Sequence, residues 1–304
     1  MSVCRVAAPD SSPLTDGPGR LCSPTVPAAG PATPRPSSTV ILLDEPREGE
    51  GPFSVLLLER HGSIAFPGAT AFPGGVVDAS DADAPGARLP AEQQWARPGE
   101  GDHPPEALAY WVAGLRELFE EVGILLARRE GRVLEGPLAP ELAALRPRVT
   151  AGEPFARALA EVGLVPATET LFYFARWVTP LTNPRRWDAR FLVARRPAGQ
   201  EAIADGTETV SCTWMSPRGA LAAYEAGRIQ LIPPTVRTLD DLARFPSIEA
   251  VLEDAAARVV RALTPELVQD GGITAISYPD NTGKAARPAR RLVLRDGRWR
   301  PGDA

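Results

Sequence analysis

Three glutamates stand close together in a strongly amphipathic segment near the middle of the chain: Glu117, Glu120 and Glu121. On a helix these side chains fall within about 100° of one another, and the apolar residues around them face the other way. Such a cluster repels itself unless a cation binds there, and Mg²⁺ prefers oxygen ligands and bridges to phosphate oxygens. The spacing predicts a Mg²⁺ or Mn²⁺ site that neutralises a diphosphate and activates water. The alternative is the ordinary solvated face of a surface helix.

A pair of glycines lies upstream, in the segment Phe72-Pro73-Gly74-Gly75. Glycine allows the backbone to approach a bound ion or phosphate closely, because it has no side chain. We therefore expect a backbone carbonyl of this segment, from Gly74 or Gly75, to help to hold the metal ion. Phe72 and Gly74 are expected to contact the substrate.

These two segments resemble the two halves of the motif of the Nudix hydrolase family, Gx₅Ex₇REUxEExGU, in which U is aliphatic. The second half matches completely from Arg116 to Ile124. In the first half, the residue six positions after Gly75 is Asp81 where the family has Glu, and a long insertion follows. That Glu usually orients the motif Arg. The candidates to replace it here are Asp78, Asp81 and Glu106.

The resemblance implies an α/β fold, the Nudix α/β/α sandwich with a mixed sheet, to which we add a C-terminal helical and β-hairpin extension. It also implies a metal-dependent enzyme that hydrolyses a diphosphate bond in a nucleoside diphosphate derivative. The split motif is similar to the branch that contains the animal peroxisomal coenzyme A diphosphatase, which makes coenzyme A or acyl-coenzyme A the first substrate to consider. ADP-ribose or a dinucleotide is an alternative, and a non-catalytic ligand sensor with the Nudix fold is another.

The resemblance assigns roles to several residues. Glu117, Glu120 and Glu121 hold the metal, Glu117 or Glu208 activates water, and Arg116 and Gly123 complete the motif structurally. Guanidinium groups suit phosphate, so further substrate contacts are expected from three arginines, Arg60, Arg185 and Arg186. The alternative is solvation at a strand end for the first, and surface charge or an ion pair to Asp188 for the other two.

Hydrophobic periodicity predicts the elements that position these residues. Strands at 39–43 and 53–58 form a hairpin, and a helix over 106–127 carries the glutamates, with Gly123 near its end. A second helical stretch is expected at 139–162. The remaining predicted elements are strands at 170–179, 188–195 and 208–214, helices at 216–226, 235–244 and 247–262, and a hairpin that turns at Asp296-Gly297.

Composition sets the domain limits and the class of partner. Residues 1–37 are rich in Pro and small residues and are predicted to be a disordered tail whose deletion leaves the melting temperature unchanged. Residues 38–245 form the predicted catalytic domain, with 79–105 as an inserted surface loop, and residues 246–304 form an extension. The net charge of −5 argues against nucleic acid or an acidic membrane as partner. The absence of paired cysteines and of long apolar runs predicts a cytoplasmic protein. The resemblance implies a small-molecule nucleotide substrate, and the sequence leaves the oligomeric state open.

Overall fold

The computed structural model describes residues 32–46, 51–60, 68–95, 104–206, 209–270, 273–280 and 287–302. Residues 1–31 of the predicted tail lie outside this part of the chain. In the described residues the strands are β1 Arg35–Asp44, β2 Ser54–Arg60, β3 Thr70–Ala71, β4 Gly74–Val76, β5 Ala127–Arg129, β6 Arg132–Val133, β7 Val165–Pro166, β8 Phe172–Val178, β9 Trp187–Arg195, β10 Thr209–Met215, β11 Ala262–Leu263, β12 Glu266–Asp270, β13 Ile273–Asp280, β14 Arg287–Arg295 and β15 Arg298–Gly302.

The helices are α1 Pro104–Val122, α2 Pro140–Ala143, α3 Leu145–Thr150, α4 Phe155–Glu161, α5 Pro217–Glu225, α6 Pro233–Leu242 and α7 Ile248–Ala257. Short 3₁₀ helices cover Ala79–Ala82 and Thr168–Thr170. The predicted single helical stretch at 139–162 is in fact three helices. Gly152, at φ +97°, and Pro154, which precedes α4, interrupt it.

The central sheet has eight strands, six of them in the order β10-β2-β1-β9-β8-β11, with β3 paired to β2 and β4 paired to β1. Strand β1 runs parallel to β9 and antiparallel to β2, so the sheet is mixed and the predicted hairpin is confirmed. Alternate residues of β1 point to opposite faces. Val40 and Leu42 join the core beneath α1, whereas Ile41 and Leu43 join the core beneath α6 and α7. Helices therefore cover both faces, as the predicted α/β/α sandwich requires.

Several boundaries differ from the predictions. The helix predicted at 247–262 ends at Ala257, and strand β11 begins at Ala262. Helix α1 ends at Val122 and not near residue 127, because Gly123 adopts φ +72°, which lies outside the helical region. The apolar residues that follow Gly123 are buried as extended chain, and this is why their hydrophobicity mimicked a longer helix. Strand β1 begins at Arg35, three residues before the predicted domain start.

The segment 79–105, predicted to be a surface loop, is partly a core element in its described residues. Asp81 and Gln93 are buried, and the Trp95 ring lies 5.5 Å from that of Trp111. The Gln93 side chain accepts from the Tyr173 amide at 2.6 Å and donates to the Ala255 carbonyl oxygen at 3.2 Å. Because the segment is mostly polar, its sequence pattern does not indicate these buried contacts.

The C-terminal extension forms an antiparallel sheet in the order β12-β13-β14-β15. Its predicted hairpin is confirmed, with Asp296 and Gly297 at φ +51° and +74° in the turn. Tyr278 and Leu292 join the core beneath α6, and the Trp299 amide donates to the Tyr224 hydroxyl at 2.7 Å. The extension is therefore packed against the central sandwich.

The early start of β1 generates the first testable prediction. The Arg35 amide donates to the Arg186 carbonyl oxygen, the Val77 amide donates to the Pro36 carbonyl oxygen, and Ser37 pairs with Val76 in the sheet. A chain that starts at Ser38 loses these contacts, and we expect its Tm to fall by about 3–6 °C. A chain that starts at Ala32 should have the same Tm as the full chain. Differential scanning calorimetry of the three proteins measures this, and equal Tm values would contradict it.

Candidate functional site

The two glycines of strand β4 are fitted between strand β1 and helix α1. Gly74 adopts φ +152°, and a Cβ there would collide with the Ser38 carbonyl oxygen. A Cβ on Gly75 would collide with the carboxylate of Glu117. Gly74 thus excludes any side chain, whereas a side chain on Gly75 would displace the Glu117 carboxylate. The backbone of the loop passes directly against the predicted metal ligands.

A buried hydrogen bond connects this loop to the helix. The Gly74 amide donates to Oε2 of Glu121 at 2.7 Å. Glu121 is 5% exposed, so its carboxylate turns inward to the glycine loop and is not part of a solvated outer face. The alternative interpretation, that the three glutamates form an ordinary solvated helix face, is therefore wrong for Glu121.

Arg116 organises the other two glutamates. Its Nη1 donates to Glu117 at 2.9 Å and to Glu120 at 3.1 Å, and its Nη2 donates to the Val76 carbonyl oxygen at 2.8 Å. One guanidinium therefore joins the metal-binding face of the helix to the end of the glycine loop. This is the geometry expected of a group that fixes ligands before a cation binds.

Asp81 takes the place of the first Glu of the family motif. Its two oxygens accept from Nε and Nη2 of Arg116, each at 3.0 Å, and the residue is 1% exposed. Of the other candidates, Asp78 is 64% exposed with its closest oxygen 3.9 Å from Arg116, and Glu106 lies exposed in the first turn of α1. Most of the inserted segment lies between Asp81 and Arg116, so their linear spacing differs from that of the family motif although the two side chains form an ion pair.

The charges of the cluster perturb one another. Burial alone would lower the pKa of Arg116, but its hydrogen bond to Asp81 and the charges of Glu117, Asp81 and Glu120 raise that pKa above its usual range. Burial raises the pKa of Glu120 to about 7; the charge of Arg116 opposes the shift and that of Glu117 adds to it. Glu120 is thus a half-buried carboxylate whose negative charge is incompletely compensated.

This donor set fits a hard divalent cation. Asp78, Asp81, Glu117 and Glu120 all lie within 4 Å of Arg116, so the carboxylate charge exceeds that of the guanidinium they contact. Oxygen ligands of this kind suit Mg²⁺. Among the residues that the structure describes, no three acidic, histidine or cysteine side chains already converge as a metal shell, since the glutamates are turned toward Arg116 and Gly74.

The predicted substrate contacts are distributed differently. Phe72 is buried in the core, edge-on to Phe191 with ring centroids 6.4 Å apart. Arg186 is also buried and donates to the carbonyl oxygens of Thr179 and Ala32 at 3.0 and 2.7 Å, which favours a structural role. Arg185 is exposed, and Asp188 pairs with Arg176 at 2.7 Å. The side chain of Arg60 lies outside the described residues, as does Glu208.

Two residues that contact the last turn of α1 from other segments were not identified by the sequence analysis. Arg146 donates from Nε to the Glu120 carbonyl oxygen at 3.0 Å, and the Asp205 amide donates to the Glu121 carbonyl oxygen at 3.1 Å. Neither belongs to a local pattern, because each contacts the helix from a segment distant in the sequence. An arginine in a helical segment that follows the motif is too common a signal to identify such a contact.

Comparisons with known proteins identify the family to which this sequence and fold are similar. Residues 84–244 match the family model described as the NUDT19 Nudix domain. The chain is 30% identical over 296 residues to human acyl-coenzyme A diphosphatase NUDT19, covering 83% of this chain and 76% of that protein. It is 30% identical over 239 residues to the chicken protein of that name, covering 64% of this chain and 62% of the relative. The crystal structure of a NUDIX hydrolase from Alicyclobacillus acidocaldarius superposes with a TM-score of 0.61 at 29% identity, over 75% of this chain and 98% of that one.

The Asp81–Arg116 pair generates the second prediction. Replacing Asp81 with Ala removes the carboxylate that binds two nitrogens of the buried Arg116 guanidinium. We expect the free energy of unfolding to fall by about 3 kcal/mol. Asp83→Ala is the matched control, because that carboxylate is exposed and should contribute less than about 1 kcal/mol. Urea titrations followed by tryptophan fluorescence measure both values. Equal losses for the two variants would show that Asp81 does not hold Arg116 in the manner described.

Proposed function

Because the chain belongs to the Nudix hydrolase family, we propose that it hydrolyses the diphosphate bond of coenzyme A or an acyl-coenzyme A in a metal-dependent reaction. The products would be adenosine 3′,5′-bisphosphate and a phosphopantetheine. The observation that carries the proposal is the complete motif cluster, in which Asp81 holds Arg116, Arg116 holds Glu117 and Glu120, and Gly74 holds Glu121. The human and chicken relatives are named acyl-coenzyme A diphosphatases, which supports the choice of substrate.

In the proposed reaction, some residues bind the metal ion and another accepts a proton. Glu117, Glu120 and Glu121 would hold the cation with help from the Gly75 carbonyl, and Mg²⁺ or Mn²⁺ when bound neutralises phosphate charge and makes a water more acidic. Glu208 or Glu117 accepts the proton of the water that attacks one phosphorus. The bond from that phosphorus to the bridging oxygen breaks, and the second phosphate leaves with the electron pair.

Two alternatives remain from the sequence. A non-catalytic sensor has no need of all three motif glutamates, and their burial against Arg116 and Gly74 favours an enzyme. ADP-ribose or a dinucleotide shares the diphosphate that the cluster would bind, so substrate choice needs its own test.

No helix in the described ranges is long and apolar enough to cross a membrane. The cytoplasmic location and the absence of nucleic acid or membrane partners stay predictions.

The third prediction tests whether Glu120 holds the metal ion. Glu120→Gln removes a ligand charge while keeping size, and we expect turnover to fall by at least about 10²-fold. Without metal, the Tm of the variant should equal or exceed that of the parent, because burial disfavours the charge of Glu120. Added Mg²⁺ should raise the Tm of the parent much more than that of the variant, since the ion binds the folded state.

The control for this experiment is Glu106→Gln, the same change at an exposed position of the same helix. It should leave both turnover and the Mg²⁺-dependent rise in Tm at parental values. Near-parental turnover in Glu120→Gln would remove the catalytic interpretation and favour the sensor.

The fourth prediction concerns the substrate. We expect kcat/KM for coenzyme A or an acyl-coenzyme A to exceed that for ADP-ribose and NADH by at least about tenfold, which corresponds to about 1.4 kcal/mol in transition-state binding. The measurement is product release at matched Mg²⁺ and Mn²⁺ concentrations. If ADP-ribose or NADH is preferred by that factor, the enzyme is a diphosphatase of another specificity.

A further inference from the structure

The carbonyl oxygen of Glu120 is held by a side chain from outside helix α1. Because α1 ends at Val122, this oxygen belongs to the last turn, whose carbonyls have no partner further along the helix. Nε of Arg146, on α3, donates to it at 3.0 Å. The carbonyl oxygens of the two residues that follow accept from backbone amides of the segment 203–205. Among these three contacts, a side-chain substitution can remove only that of Arg146.

The rest of the Arg146 guanidinium is packed against the end of the helix. Its Nη1 lies 3.1 Å from the position that a Cβ on Gly123 would occupy, so the group lies against the residue that follows α1. Its Nη2 is buried and has no hydrogen-bond partner among the described residues. Burial lowers the pKa of this guanidinium, and the charge of Asp205 opposes the shift only in part. A charged donor makes a stronger hydrogen bond than a neutral one, so the contact with the Glu120 carbonyl is a strong one.

Glu120 is thus held at both its side chain and its backbone. Its carboxylate accepts from Nη1 of Arg116 at 3.1 Å, and its carbonyl oxygen accepts from Arg146. A cation bound by this carboxylate competes with Arg116 for the same group. The contact of Arg146 is made to the backbone, so it can remain when the side chain turns to a metal ion. It then fixes the turn from which both Glu120 and Glu121 extend.

We propose that Arg146 is a positioning residue for the metal ion, which holds the last turn of α1 in place and thereby raises the affinity for Mg²⁺. The inference rests on the proposed function, because Glu120 and Glu121 are the ligands assigned there. Residues that hold metal ligands from behind typically contribute about 10- to 100-fold in metal affinity. Arg146 lies in a separate helix, so it can be changed without altering any proposed ligand.

The test compares Arg146→Met with Arg146→Gln. Both replacements are uncharged and equally long, but glutamine places an N–H donor where arginine has Nε, whereas methionine places a methyl group there. We expect the Mg²⁺ concentration that half-saturates coenzyme A hydrolysis to rise about tenfold in Arg146→Met and less than about threefold in Arg146→Gln.

A second measurement does not depend on activity. Mg²⁺ should raise the Tm of Arg146→Met less than that of Arg146→Gln or the parent, since the stabilisation by a ligand follows its affinity for the folded state. Each rise is taken from the variant's own Tm without metal, so a general loss of stability does not enter the comparison. Arg148→Gln is the control on the same helix, because that arginine is exposed and pairs with Glu153 and Glu161. It should keep the parental response to Mg²⁺.

Three results would overturn the inference. They are a parental response to Mg²⁺ in Arg146→Met, an equal weakening in Arg146→Met and Arg146→Gln, and a lower Tm without metal accompanied by an unchanged response to Mg²⁺, which would indicate a purely structural contact. A parent protein with neither Mg²⁺-dependent hydrolysis nor a Mg²⁺-dependent rise in Tm would instead overturn the proposed function, and the inference with it.

Discussion

The candidate site depends on one buried ion pair, between Asp81 and Arg116. A guanidinium taken out of water must be paired, since a buried charge without a partner is strongly destabilising. Asp81 binds two of its nitrogens, which leaves Nη1 aimed at Glu117 and Glu120 and lets Nη2 also reach the Val76 carbonyl. An aspartate is one methylene shorter than the glutamate of the family motif. The 3₁₀ helix Ala79–Ala82 brings it within reach.

Close approach between α1 and β1 is the second constraint. A Cβ on Gly114 would come within 2.9 Å of the Ser38 Oγ and 3.0 Å of Val40 Cγ2, so the helix lies almost directly on the strand. Strand β4 pairs with the same part of β1 through Gly74 and Gly75. Glycine at all three positions allows the helix, the strand and the loop to converge. The glutamates can reach the loop only because these side chains are absent.

Much of this arrangement was predictable from the sequence. The spacing of apolar residues gave α1 and the hairpin, and the motif gave the cluster of Arg116 with its glutamates. Asp81 was one of three candidates, and the choice among them required coordinates because the insertion separates it from Arg116. Asp205 and Arg146 could not be found, since they act on backbone carbonyls and leave no residue pattern. The end of α1 was misplaced because buried chain after Gly123 has the composition of a helix.

The Gln93 side chain has a consequence for how the molecule folds. Its amide joins the insertion to Tyr173 of β8 and to the carbonyl oxygens of Ala255 and Arg258 at the end of α7. A buried amide that loses its partners costs about 1–3 kcal/mol. The insertion between the two motif halves and the helix beyond residue 246 therefore stabilise each other. We expect them to unfold in one cooperative step with the central sheet, so that the C-terminal helix is part of the catalytic folding unit and not an appendage to it.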